Sequence, residues 1–440
     1  VAPTGKTLDE VEARTVLTQT GNGSIFIDEP GSYVLGADVE PVANGIIIRS
    51  GHVTLDLNGF EVRGDNLQQF LPEYGVLVDL FDDADIAPVT IRNGSITGFS
   101  AASINAVDPQ VRVTVEDVYC EQGDEGGITI ASEGDVRRCR VIFGAPAAST
   151  HAISVGGGSS EDCLVRAIEG DGYVLGSGVI SGCRAEQCTG RGFAVGSGAF
   201  VASTIDRSTA VGCDGIGFDI GCPGSVTGCV SQRNGGAGFA GVTGVVFASC
   251  VADENAGDGF VGGRGAVFEA CSATDNGVHG FNTESARGCA FVSCSAYSNG
   301  REGFRSGIGT SLIGCTASDN EECGFSSGAG AVYESCIASL NDGDGFALGF
   351  NNRITDSNAS NNGGGPLGGG GAGIRASSDC TIDGNSATDN PVGIQGDNGA
   401  IIVRNTVSGN GTGIDLAGAT GGPIATDPAA TSNPWANFDF

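Results

Sequence analysis

The sequence predicts an all-β fold, a single-stranded right-handed parallel β-helix, on three observations. The first is a beat of 21 residues: Phe218, Phe239, Phe260, Phe281, Phe304, Phe325 and Phe346 each follow a glycine, with one step of 23. The second is what travels with each Phe. Eleven residues on, or thirteen in one coil, come Cys229, Cys250, Cys271, Cys294, Cys315 and Cys336, then Ser357, and five residues after each stands Asn234, Asn255, Asn276, Asn299, Asn320, Asn341 or Asn362. The third is the character of the segments between. Ala266-Val267-Phe268 and Ala331-Val332-Tyr333 are β-branched and aromatic and show no helix-length pattern. A unit this short cannot bury its apolar face until the next is stacked on it, so the period predicts a solenoid with two or three short strands per coil. Right-handedness follows from the preference of parallel crossovers.

The elements follow in order. Residues 1–24 read as an N-terminal cap containing a short helix over Thr7–Val16, with Thr7 and Glu10 as a capping box. The β-helix runs over 25–415. Its first strands are Gly31–Leu35, Ile46–Ile48, Val53–Leu57, Val76–Leu80 and Val89–Ile91; Val53-Thr54-Leu55-Asp56-Leu57 alternates as a half-buried strand should. Coils from Ile128, Ile153 and Tyr173 carry Cys139, Cys163 and Cys183. Later ones carry Ile374, Asn385 and Asn390, then Ile394, Asn405 and Asn410. Two coils are long, 193–218 and 346–374; the second holds Gly363–Gly371, too glycine-rich to pack and expected to project as a loop. The tail, 416–440, gathers Pro423, Pro428, Pro434, Trp435, Phe438 and Phe440. It reads as a cap on the last coil or as an association segment. In the stack, Phe should form a buried column. Asn should form an amide ladder and take the left-handed turn conformation itself.

Composition narrows the function. With 52 acids against 21 bases the formal charge is −31, and lysine occurs once, at Lys6. Such a surface repels nucleic acid and anionic membranes, and it suits salty water or the capture of cations such as Ca2+. No apolar run reaches 18 residues, so no transmembrane segment is expected. Val1 is not a natural start, which fits a mature exported chain or a trimmed one. The sixteen cysteines form no CxxC metal pattern. They read as free stacked thiols, with Cys183–Cys188, Cys222–Cys229 and Cys289–Cys294 as the candidate disulfides.

The segments Pro30-Gly31-Ser32-Tyr33-Val34-Leu35, Gly45-Ile46-Ile47-Ile48, Val53–Phe60 and Val89–Ser95 resemble the first coils of secreted bacterial β-helix repeat proteins. The chain resembles the pectate-lyase-like superfamily over about residues 25–415. That resemblance implies the fold, and it implies an activity among lyases, hydrolases, epimerases, tailspikes and adhesins. Uronate lyases of the superfamily use an Arg or Lys base and calcium held by acidic residues. This sequence lacks the lyase arginine motif and the Asp-Pro-His triplet of alginate epimerases, for Asp108-Pro109 is followed by Gln110 and Gly217-Phe218-Asp219 by Ile220.

Coil stacking gives an independent route to a site. The residue two before each ring is Arg191, Ile216, Ala237, Asp258, His279, Glu302, Cys323 and Asp344. Asp258, His279 and Glu302 thus fall on consecutive rungs, with Arg301 and Arg305 near. An imidazole between two carboxylates can act as a general base, and Arg305 can hold an acidic sugar. On the plainer view these are solvated turn residues, expected on an exposed face. Asp206, Asp214 and Asp219 flank the long coil 193–218 as candidate ligands of a hard cation, Ca2+. Arg137, Arg138, Arg140 and His151 form a candidate basic patch for an anionic glycan. The predicted function is a secreted or cell-surface bacterial protein that binds an extracellular acidic polysaccharide and, as an enzyme, cleaves or epimerises it. The alternative is a structural, adhesive or fibre-forming protein that self-associates through its ends or one face.

Overall fold

The computed structural model describes residues 14–64, 73–80, 87–108, 110–121, 123–142, 151–196, 201–365, 370–427 and 431–440. The chain divides into two compact units, Val1–Ala199 and Phe200–Phe440. Each is a right-handed parallel β-helix, and together they make about 18 turns.

One turn of the second unit consists of Phe260–Gly262, Val267–Glu269 and Ser272–Thr274. Each strand pairs in parallel and in register with its equivalent on the next coil: Phe260 opposite Phe281, Phe268 opposite Phe291, Ala273 opposite Ala296. Strand alternation sends one side chain per strand inward, here Phe260, Phe268 and Ala273, all fully buried. Successive rings of the first sheet lie 4.8 Å apart and almost parallel, as in Phe239–Phe260, while Phe268 meets Phe260 edge-on at 6.0 Å. Two ring columns at right angles, closed by small alanines, fill the cross-section. The expected Phe column is therefore present, and a second column accompanies it over part of the unit.

The corners explain Cys and Asn. After Val267–Glu269 the chain passes through Ala270 with φ of 50° into Cys271; after Ser272–Thr274 it passes through Asp275 with φ of 51° into Asn276. The left-handed residue is thus the one before Asn, and the expectation that Asn itself adopts it is corrected. Asn instead satisfies the polar groups of the corner. The Asn276 Oδ1 accepts from the Asn255 N–H at 3.2 Å and from its amide at 3.0 Å, and the Asn276 amide donates to Ala252 O and Asn299 Oδ1. The contact repeats from Asn234 to Asn362 and on to Asn390 and Asn410. At the other corner the thiol is a weak donor, Cys271 Sγ to Phe247 O at 3.4 Å. Where Cys ends, Ser357, Asn385 and Asn405 take its place, and Asn437 from the tail completes that ladder. All sixteen cysteines are free, and the three candidate disulfide pairs are not bonded.

In the first unit strands such as Val111–Glu121 and Gly126–Arg137 are longer, and buried β-branched residues stand in place of rings until Tyr173 and Phe193. Of the expected helix over Thr7–Val16, residues before 14 lie outside those described. Its last residues form instead the strand Thr15–Leu17, paired in parallel with Tyr33–Leu35. β-Branched Thr15 and Val16 suit that edge. Asn437–Asp439 pairs with the strand Thr406–Ser408. Parts of the two long coils, 197–200 and 366–369, also lie outside the described residues.

Asn276→Ala removes a buried amide and leaves the Asn255 donors and the Ala252 carbonyl without partners. We expect a loss of about 2–4 kcal/mol, read as a lower urea midpoint.

Candidate functional site

The strip two residues before each ring is assembled, but not as an exposed face. His279 is 3% exposed. Its backbone N–H donates to Asp258 Oδ1 at 2.9 Å, and the Asn282 amide holds the other Asp258 oxygen at 3.0 Å. His279 Nδ1 lies 2.8 Å from Glu302 Oε2, out of line for a directed hydrogen bond. Arg305 lies across the ring, Nη1 at 3.3 Å from His279 Nε2, and its other nitrogen donates to Glu284 at 2.7 Å. Arg301 pairs with Glu322 at 3.3 Å. Burial works to raise the pKa of Glu302. The neighbouring His279 and a hydrogen bond with Glu322 outweigh it and hold the group at about 2. Burial and the same hydrogen bond push Glu322 up. The expectation of an exposed acid–base strip is corrected: the long Arg305 side chain covers the imidazole, and only the carboxyl pair and the arginines reach solvent.

The other predicted sites separate. Asp206 ends Ser203–Asp206 and pairs with Arg207 at 2.6 Å, Asp214 lies in a turn, and Asp219 sits within Phe218–Ile220. Among the described residues no three His, Cys, Asp or Glu side chains are gathered so that they could hold a metal, so these aspartates do not fit a calcium site. The basic patch is neutralised. Arg138 forks onto Asp117 through two bonds of 2.8 Å, and Arg137 lies among Glu116, Asp135 and Glu161. Arg140 is exposed at the start of Arg140–Ile142. His151 lies elsewhere, beside Gly126, at the opposite end of Gly126–Arg137 from the arginines.

His151 holds in the first unit the position that His279 holds in the second, two residues before the inward residue of its strand. There the inward residues are Val76, Ile104, Ile128, Ile153, Tyr173 and Phe193, and the residues two before them are Tyr74, Ala102, Gly126, His151, Asp171 and Arg191. Before Arg191 the sequence no longer marks this position, because the inward residue changes from Phe to Tyr173 and then to Ile and Val. Ala102 and Gly126 leave two successive rungs almost without side chain, and the flanking groups lean over them. The Tyr74 hydroxyl donates to Glu125 at 2.7 Å. His151 Nε2 is 3.1 Å from the Thr129 hydroxyl, which is itself 3.3 Å from Glu125 O. Arg191 forks onto Asp171, its Nη2 at 2.6 Å. Burial, reinforced by the bond and charge of Glu125, pushes the Tyr74 phenol up to about 12. Asn105, 4% exposed, works the other way on the Tyr74 phenol and favours its ionised form. Burial pulls His151 below its ordinary 6.5, against the opposing charge of Asp171. The phenol and the imidazole thus stand on the two rungs that bound Ala102 and Gly126, and both lean towards the Glu125–Thr129 corner.

The family described as "Right handed beta helix region" matches residues 148–295. No curated protein matches the chain. Among solved structures, the chain is similar to the A-module of the Azotobacter vinelandii mannuronan C-5 epimerase AlgE4. Identity is 14%, the TM-score 0.37, and 89% of this chain and 91% of that one are covered. It is similar also to the periplasmic alginate epimerase AlgG, at 13% identity and TM-score 0.28, with 90% and 84% covered. The pectate lyase Pel9A matches at 15% identity and TM-score 0.21, with 83% and 74% covered. The likeness is one of fold. Among the described residues no helix is long and apolar enough to cross a membrane.

Because the Glu302 pKa is lowered on folding, its contribution to stability is present above the unfolded value of about 4.5 and is lost as pH falls towards 2. The stability difference between wild type and Glu302→Gln should therefore shrink over that window in urea titrations. A difference that grows on acidification would contradict the ionised state.

Proposed function

We propose that the protein binds an extended acidic polysaccharide and modifies it by proton transfer at the slot between Tyr74 and His151. The observation that carries this reading is the convergence of a phenol and an imidazole over the bare rung at Gly126. Two proton-transfer groups of opposite role, set apart by their surroundings, are what acid–base chemistry at neutral pH requires. Glycoside hydrolysis uses two carboxyl groups, whereas here Glu125 is bound to Tyr74 and Asp171 to Arg191. A Tyr–His pair suits instead removal of the proton next to a uronate carboxylate. His151 takes that proton. Tyr74 then either returns one to the opposite face of the carbon, which is epimerisation, or gives one to the departing glycosidic oxygen, which is elimination. Arg191, partly exposed beside Asp171, supplies positive charge towards the substrate carboxylate. An acidic polysaccharide implies a secreted or surface-held protein.

The structural and adhesive alternative keeps one observation of its own. Ile313, Val332, Ile337, Leu340 and Phe350 are exposed on the second unit, where they could meet another copy.

The test is a panel of acidic and neutral polysaccharides, with and without calcium, followed by unsaturated uronate absorbance and by proton exchange at the sugar carbon. Tyr74→Phe and His151→Ala should each lower turnover by at least about 10²-fold with unchanged unfolding midpoints. His279→Ala should lower stability and spare turnover. The acid limb of kcat/KM should fall below pH 6.5, where His151 takes up a proton. Inactivity across the panel would favour the structural reading.

A further inference from the structure

We infer a second carbohydrate site, for a neutral sugar residue, on the outer face of the second sheet near the C-terminal end. A cleft of about 240 Å³ lies there, lined by Glu334, Arg353, Thr355, Asp356, Asp383 and Arg404. The parallel register builds it. Val332, Arg353 and Thr381 stack as one outward column and Glu334, Thr355 and Asp383 as the next. Asp356 and Arg404 enter from the corner, both at left-handed residues.

The charges decide the ligand. Asp383 is fully committed, since Arg404 Nε donates to one oxygen at 2.6 Å and Nη2 holds the other. That guanidinium is also backed by the indole of Trp435, 5.6 Å from the ring centre. Arg353 is different: among the described residues it makes no ion pair and no side-chain hydrogen bond, and it is exposed. Among the described residues Glu334 and Asp356 make no ion pair within 4 Å, and Asp356 acts on Arg404 only through its charge at longer range. The cleft thus presents a free planar donor, two free carboxylate acceptors and the Thr355 hydroxyl at rung spacing. A polyanion would meet the two unpaired carboxylates on a chain of net charge −31. A cation would meet two guanidiniums. An uncharged ligand rich in hydroxyls can use every group, since each hydroxyl both donates and accepts. This site is independent of the Tyr74–His151 slot, and its ligand differs in charge.

Trp435 is the sole tryptophan, about half exposed and in contact with a wall of the cleft, so it reports occupancy directly. Cello-, malto-, laminari- and manno-pentaoses, with oligogalacturonate as the charged comparison, would be titrated into the full chain under selective tryptophan excitation and by calorimetry. At least one neutral pentaose should give a saturable change. Arg353→Ala and Glu334→Gln should each weaken it by about tenfold or more, as expected for loss of a charge-assisted hydrogen bond. Trp435→Phe should abolish the optical signal and keep calorimetric binding within about threefold. Tyr74→Phe and His151→Ala should leave it unchanged, which separates this site from the proposed reaction. No saturable response to any neutral pentaose by either method would overturn the inference. So would tighter binding of oligogalacturonate, or unchanged affinity in both cleft variants that fold.

Discussion

The constraint on which the second unit depends is that its corners must be identical at every rung. A parallel coil turns three times in about 21 residues, and each turn leaves backbone groups that no strand partner reaches. At the sharpest corner the Asn amide supplies both a donor and an acceptor, one rung at a time, from Asn234 through Asn410. Because each Asn uses its neighbours above and below, the ladder fixes the register of the strands beside it. Register in turn stacks ring on ring, 4.8 Å apart. A slip of one residue would turn Phe outward and empty the core, so the polar ladder and the apolar column enforce the same alignment.

The inward half of the structure was legible because inward positions repeat. Phe, Cys and Asn recur because one corner or one core layer accepts few alternatives, and repetition alone located them. Which residue bends the chain was not legible. The left-handed positions are held by Arg233, Glu254, Asp275, Ser298 and Leu340, a set without common chemistry because their side chains point to solvent. The strain there is tolerated since the ladder residue that follows secures the turn. The N-terminal stretch read as a helix because Thr7 and Glu10 have capping spacing. The decisive feature at Thr15–Leu17 was an open strand edge, which spacing does not encode.

The candidate site was half legible for a related reason. The column that carries it follows the inward residue at a fixed offset, so it could be traced wherever Phe marked the rung. It faded in the first unit, where Ile104, Ile128 and Ile153 do the same packing without a distinctive letter. Tyr74 was missed on that account, and His151 was grouped with arginines near in sequence but remote on the coil. Burial was the second obstacle. His279 and His151 occupy equivalent positions, yet Arg305 lies over the first while the second faces a rung with no side chain at all. A neighbour's length thus decides whether an imidazole at this position is covered from that side.

This contrast bears on how a regular solenoid comes to hold a reactive site. Where every rung presents a side chain, neighbours 4.8 Å apart satisfy one another, as Asp344 does with Arg375 and Arg233 with Glu254. Such a face is chemically quiet however many charges it bears. Reactivity needs an interruption: rungs that present nothing, flanked by groups long enough to reach over the gap. Ala102 and Gly126 make that interruption between Tyr74 and His151. A Cβ at Gly126 would come within 3.0 Å of the imidazole nitrogen, so the bare rung is a spatial condition of the slot. The acid surplus of the chain works in the same direction. Asp117, Asp135 and Asp383 each occupy an arginine, and among the described residues few arginines are left without an ion pair. The free ones, Arg353 above all, are therefore more informative about ligands than the many carboxylates that surround them.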